Sequence, residues 1–250
     1  MTYCVAISVK AGIVFCSDSR TNAGVDQVST YSKMFRFDLG PERQFVVLTA
    51  GNLATTQASI AQLTRDIQQH APLSLNTVGT IDEAAEYIGA ISIAQQAKTT
   101  GNNFKASFIL GGQIAGDGHR IVMIYPEGNH ISSSRDTPFL QIGESKYGKP
   151  MLDRIIDQDT SLETAALCAM VSMDATMRSN LTVGPPIEVL LYTADSFSTC
   201  NYFRFEQDCD YLRELMKNWD AQLKESFERL PRLNWSQDAA CAGHKPPENT

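Results

Sequence analysis

Apolar and polar positions along the chain follow two rhythms, a strand-like one at both ends and in the middle, and a helical one between. Tyr3 to Val9 is apolar and rich in β-formers, Lys10-Ala11-Gly12 makes a turn, and Ile13 to Cys16 resumes the apolar run. This spacing predicts a hairpin with a short Gly-containing connection. The polar stretch "SDSRTNAGVDQVSTYS" then predicts a loop. "KMFRFDL" alternates as a strand does, and "QFVVLTAG" is the continuous apolar run of a buried strand ending on Gly51.

The period then changes. From Asn52 to His70 the apolar residues Leu53, Ile60, Leu63 and Ile67 recur at helical spacing. Thr80 and Glu83 form the T-x-x-E pattern of a capping box, opening a second helix with Ile81, Ala84, Ile88 and Ile91 on one face. Strands return at "KASFILGGQI" and at "RIVMIYPEG", which closes on a turn near Pro126-Glu127-Gly128. A third helix is expected from about Tyr147 to Ile156. A fourth is expected from a second T-x-x-E, Thr160 and Glu163, to about Met177. "IEVLLYTA" predicts a buried strand and "NYFRFE" a shorter one. A last amphipathic helix is expected from about Asp208 to Glu228, with Leu212, Leu215, Trp219, Leu223 and Phe227.

Strand runs alternating with helix pairs do not suit a doubly wound parallel sheet. They predict an α+β fold, two antiparallel sheets packed face to face with helices outside. No internal repeat or linker interrupts the pattern, so residues 1–235 are expected to form a single domain with a loose tail over 236–250.

Composition agrees with one substantial core: 250 residues, 43% hydrophobic and 20% charged. With 21 Lys and Arg against 28 Asp and Glu, the net charge is −7, and the absence of a basic run argues against nucleic acid as partner. The apolar stretches fall short of the roughly 20 residues that cross a bilayer. No signal-peptide pattern opens the chain, so a cytoplasmic protein is expected if translation starts at Met1. Six scattered cysteines and four isolated histidines, His70, His119, His130 and His244, offer no CxxC, HExxH or GxSxG frame. "GGQIAGDGH" follows a strand without opening a helix, so it is not read as a nucleotide loop. No metal or organic cofactor is expected.

Chemistry concentrates near the N-terminus. If Met1 is removed, Thr2 carries a hydroxyl and a free α-amine on one residue, and such an amine can serve as the base for the hydroxyl. An unperturbed α-amine has a pKa of about 7.7–8.0, and a neighbouring ammonium lowers it. Lys33 is the candidate ammonium and Asp18 the carboxylate that holds it, because the returning strand of the hairpin brings residue 18 back beside residue 2. An oxyanion donor is worth about 2.7–4 kcal/mol of barrier in a comparable case. The Gly51 N–H in "TAGNLA" is the candidate, at a strand-to-helix junction whose helix N-terminus adds positive potential.

Taken in order, Thr2, "SDSRTNAG", Lys33 and "AGNLA" resemble the N-terminal signature of the proteasome β-type subunits. That signature is an N-terminal threonine, a D-x-R-x-x-x-G segment, a lysine, and an A-G turn before a helix. A Met-Thr start without a propeptide, at this length, more narrowly resembles the bacterial proteasome-like branch called Anbu, for ancestral β-subunit. The resemblance extends over roughly residues 2–205 and is sharpest over 2–55.

It implies the four-layer αββα sandwich of the N-terminal nucleophile hydrolases, and a threonine-type endopeptidase acting on peptide bonds. In that reading Thr2 is nucleophile and base, Asp18 and Lys33 its electrostatic partners, the Gly51 N–H the oxyanion donor, and Arg20 a structural anchor near the site. It also implies homo-oligomers, as closed rings or open helical turns, and a peptide or protein substrate. It specifies no partner ATPase. By position Thr21, Asn22 and Thr49 are candidate pocket residues, small and polar.

Two later segments depart from the family's pattern. Where the family has G-S-G, this chain has "IGESKYG", placing Glu144 or Ser145 there. Where the family has D-x-x-S-G-G, "SNLTVGPP" places Ser179 at the aspartate and Thr182 at the serine. Two other readings therefore stand beside the peptidase: an amidohydrolase for a small amide or isopeptide, and a weakly active or inactive self-assembling scaffold subunit.

Overall fold

The computed structural model describes residues 1–22, 28–98 and 104–232. The chain divides into two compact units, Met1–Cys209 and Asp210–Thr250. The tail expected from residue 236 lies outside the described residues.

In the first unit, strands β1 (Tyr3–Val9) and β2 (Gly12–Asp18) form the expected hairpin. The polar stretch after it is not a plain loop: it holds two three-residue strands, β3 (Arg20–Asn22) and β4 (Val28–Thr30), paired antiparallel. Next come β5 (Met34–Asp38), β6 (Arg43–Gly51), α1 (Leu53–Gln68), α2 (Ile81–Gln96), β7 (Ala106–Ile114) and β8 (Arg120–Ile124). Two short strands that the apolar pattern does not signal follow, β9 (His130–Ser132) and β10 (Phe139–Gly143). The unit continues through α3 (Ser145–Ile155), α4 (Leu162–Ser179), β11 (Ile187–Thr193) and β12 (Tyr202–Phe205).

These strands build two five-stranded sheets, ordered β10-β1-β2-β11-β12 and β5-β6-β7-β8-β9, with all pairings antiparallel. Because successive side chains point to opposite faces, a strand lying between two layers is buried on both sides. On β1 and β2, Cys4, Ala6, Ile13 and Phe15 meet Val46, Leu48, Ile109 and Ile121 of the other sheet. On β6 the alternate residues Phe45 and Val47 pack with Ile60 and Leu63 of α1 and with Ile81, Ala84 and Ile88 of α2. On the outer face of the first sheet, the hydroxyl of Tyr3 lies 2.6 Å from that of Ser172 in α4. The order is thus helices, sheet, sheet, helices, the αββα sandwich.

Caps set the helix starts. Thr80 accepts from the Glu83 N–H at 3.1 Å, while the Glu83 carboxylate reaches back one residue past the cap to the Gly79 N–H at 2.7 Å. The expected Thr160 cap is displaced by one residue. Ser161 accepts from the Thr164 N–H at 3.2 Å, because Thr160 is engaged in a turn where its hydroxyl accepts from the Asp157 N–H at 3.0 Å.

The second unit is described through residue 232. It consists chiefly of α5 (Asp210–Glu228), where Arg213 pairs with Asp210, and Arg229, just past the helix end, pairs with Glu225.

Candidate active site

The hairpin register sets Cys4 opposite Ser17, so Asp18 returns to the level of Tyr3. There its Oδ1 accepts a hydrogen bond from the Tyr3 N–H at 3.0 Å. Oδ1 also accepts from Lys33 Nζ at 2.7 Å, and Oδ2 from the Gly184 N–H at 3.3 Å. Lys33 Nζ donates in addition to the Arg20 carbonyl at 2.7 Å, while the Lys33 carbonyl accepts from Thr49 N–H at 2.9 Å, fixing the residue against β6. Asp18 is wholly buried and Lys33 nearly so. Burial pushes the Asp18 carboxyl above the ordinary carboxylate value, against the downward pull of Lys33 and the two N–H donors.

Thr2 is placed by the edge strand β10. Its carbonyl accepts from the Glu144 N–H at 2.8 Å, and Gly143 passes so close that a Cβ there would sit 1.9 Å from the Thr2 oxygen. Gly143 also has φ +83°, which favours glycine. Gly51 is the second glycine the site requires. Its φ is +109°, and a Cβ would lie 2.4 Å from the Lys105 carbonyl. The chain turns there into α1, capped by Asn52, whose side chain accepts from the Thr55 N–H at 3.1 Å.

Thr2, Thr21, Lys33, Thr49, Gly51 and Glu144 line a single cleft of about 840 Å³, with Tyr31, Phe35 and Ile60 supplying apolar wall. Met1 lies at the same cleft, 65% exposed. Its peptide bond makes the Thr2 nitrogen an amide. Asp18 stands behind this wall, bonded to both Lys33 and the backbone next to Thr2.

The remaining sequence candidates separate. Arg20 donates from its backbone N–H to the Gly184 carbonyl at 3.2 Å and from Nη1 to the Leu181 carbonyl at 2.8 Å, so it ties the 181–184 turn to the end of β2. Ser145 is the first residue of α3, and its carbonyl accepts from the Gln141 side chain at 3.2 Å. Its neighbour Glu144 is the one that lines the cleft. Ser179 ends α4, exposed, and Thr182 bonds to the Asn180 side chain at 2.6 Å; neither lines the cleft. Asn22 belongs to β3, but its side chain lies outside the described residues.

Sequence reasoning missed Gly184 and Glu188. The first acts through its backbone and left no signal. The second did leave one, a lone carboxylate inside the apolar run "IEVLLY". Among the described residues no group of three or more His, Cys, Asp or Glu is placed to hold a metal ion, and no helix is long and apolar enough to cross a membrane.

Comparison with known proteins gives the family. The proteasome subunit family model matches residues 2–191. The structure of Anbu (ancestral beta-subunit) from Yersinia bercovieri superimposes with a TM-score of 0.90 at 45% identity, over 94% of this chain and 99% of that one. The helical assembly of the Anbu complex from Pseudomonas aeruginosa matches at 0.89 and 44% identity, over 93% and 98%. Anbu from Hyphomicrobium sp. strain MC1 matches at 0.86 and 39%, over 93% and 99%. No curated protein matches significantly.

Proposed function

The chain belongs to the proteasome subunit family, on its Anbu branch, and from that premise we propose that it is a threonine-type peptidase of the cytoplasm. One observation carries the reading: Thr2, Lys33 and Gly51 line one cleft, with Asp18 bonded both to Lys33 and to the N–H that follows Thr2.

Removal of Met1 would free the Thr2 amine. The Thr2 hydroxyl then attacks a peptide carbonyl while the amine takes its proton, directly or through one water. The Lys33 ammonium keeps that amine neutral by like-charge repulsion, and Asp18 holds Lys33 in place. The Gly51 N–H donates to the oxyanion. Collapse expels the amine of the leaving peptide, which receives the proton, and leaves an ester on Thr2. Water activated by the same amine cleaves the ester, releasing the acid and restoring the hydroxyl. No cofactor takes part in this scheme.

Self-assembly into an open helical turn or ring is part of the proposal, supported by the helical assembly described for the Pseudomonas relative. A second reading, a scaffold subunit with little or no turnover, is favoured by the placement of Ser179 and Thr182 away from the cleft.

The test is the mass of the N-terminal peptide of protein from its native host, followed by hydrolysis of short fluorogenic peptides and small amides. Chains that begin at Thr2 and peptide cleavage abolished by Thr2→Ala are expected. Activity that survives Thr2→Ala, or Met1 retained on nearly every chain, rejects the peptidase. Cleavage of amides alone would favour the amidohydrolase.

A further inference from the structure

Glu188 is 2% exposed, and among the described residues its carboxylate is hydrogen-bonded by hydroxyls. Ser19 donates to Oε2 at 3.0 Å, Ser32 lies 2.8 and 3.0 Å from Oε2 and Oε1, and the Tyr202 hydroxyl donates to Oε1 at 2.5 Å. No cation pairs with it among the described residues. Ser32 has one proton to give and also faces the Met34 carbonyl at 3.0 Å; the carboxylate is the stronger acceptor.

The two serines are not arbitrary neighbours. Ser19 directly follows Asp18, and Ser32 directly precedes Lys33. Between them the chain leaves the sheet as the β3–β4 ribbon and returns, and the Tyr31 N–H donates to the Ser19 carbonyl at 2.9 Å where the two feet of this excursion meet. Glu188 grips both feet from β11, where it sits opposite Ser17 in the ladder. A buried carboxylate surrounded by fixed donors is held rigidly, and leaving such donors unpaired is unfavourable.

We propose that Glu188 is a positioning residue: by accepting from Ser19 and Ser32 it fixes the two segments that set Asp18 and Lys33 at the cleft. The catalytic part of this inference rests on the peptidase reading, and the experiment separates the two.

Full-length wild type, Glu188→Ala and Glu188→Gln are compared in peptide hydrolysis and by crystal structure. Glu188→Ala is expected to lower kcat at least about tenfold with KM within about twofold, since Glu188 is not part of the cleft wall. Glu188→Gln, whose amide oxygen still accepts, is expected to recover most of the loss. In the crystal of Glu188→Ala the 2.7 Å contact between Lys33 Nζ and Asp18 is expected to open to a separation without a hydrogen bond. Should Glu188→Ala not fold, the double variant Ser19→Ala, Ser32→Ala, which keeps the carboxylate, is read by the same contact.

Unchanged kcat in Glu188→Ala, or equal loss in the Ala and Gln variants, overturns the proposal. A contact unmoved in the crystal does so as well. If wild type shows no Thr2-dependent turnover, the peptidase reading fails and the crystal contact alone decides Glu188.

Discussion

Lys33 Nζ lies 2.7 Å from Asp18 Oδ1, in a pair whose side chains are 7% and 0% exposed. Removing one member of a buried ion pair leaves the other charge uncompensated, a loss of about 3–5 kcal/mol. Lys33→Met and Asp18→Asn should therefore both unfold at markedly lower denaturant than wild type. Urea titration of the three proteins checks this. Equal midpoints for Lys33→Met and wild type would show that the pair contributes nothing.

The same carboxyl gives a pH dependence with a definite sign. Folded Asp18 is held above the ordinary carboxylate value by burial, so it keeps a proton where the unfolded residue has lost one. Its contribution to stability is thus fully present below the unfolded value of about 3.9 and is lost as pH rises through the folded value. The stability of wild type relative to Asp18→Asn should fall over that window and then level off. Denaturation at a series of pH values reads it, and a difference that grows with pH would contradict the burial argument.

Gly143 and Gly40 form a matched pair. Both have positive φ, +83° and +95°, but a Cβ at Gly40 meets nothing within 4 Å, whereas one at Gly143 strikes the Thr2 carbonyl. Gly40→Ala should lose only the conformational term of about 1 kcal/mol. Gly143→Ala should lose more, and peptide hydrolysis with it, because the backbone of the proposed nucleophile must move. Thermal melts with parallel rate measurements distinguish the two; comparable losses at both sites would remove Gly143 from any role in placing Thr2.

Cysteine reactivity should follow burial. Cys4, Cys16 and Cys168 are buried, which pushes all three thiols up, Cys168 to about 11, while Cys200 is exposed. In the folded protein near pH 8, an alkylating agent should label Cys200 and spare the other three. Peptide mass mapping gives the answer, and early labelling of Cys4 would mean that the sheet next to the site opens readily.

The hairpin over 3–18 was legible as two apolar runs about a Gly-containing turn, and the helices because their apolar residues keep one period over several turns. β10 was not: the apolar residues of Phe139–Gly143 neither alternate nor run unbroken, yet they form the edge that carries Thr2. β3 and β4 are polar and three residues long, held by contacts such as Lys33 Nζ to the Arg20 carbonyl, so no local signal marks them. At α4 the cap fell one residue past the expected Thr160, on Ser161, because the Asp157 turn engages the Thr160 hydroxyl. Thr2, Asp18, Lys33 and Gly51 stand in order within the first 51 positions, which made them readable together. Gly184 and Glu188 reach Asp18 and its neighbour Ser19 from the far end of the chain, the first through its backbone without a signal, the second marked only as a lone carboxylate in an apolar run.

The bond from the Gly184 N–H to Asp18 spans 166 positions. During synthesis Asp18 emerges long before the segment that closes around it. Until then the Asp18 carboxylate lacks one of the two backbone donors that hold it in the finished fold. Order of synthesis thus sets this contact of Asp18 after β10 and α4 have been made.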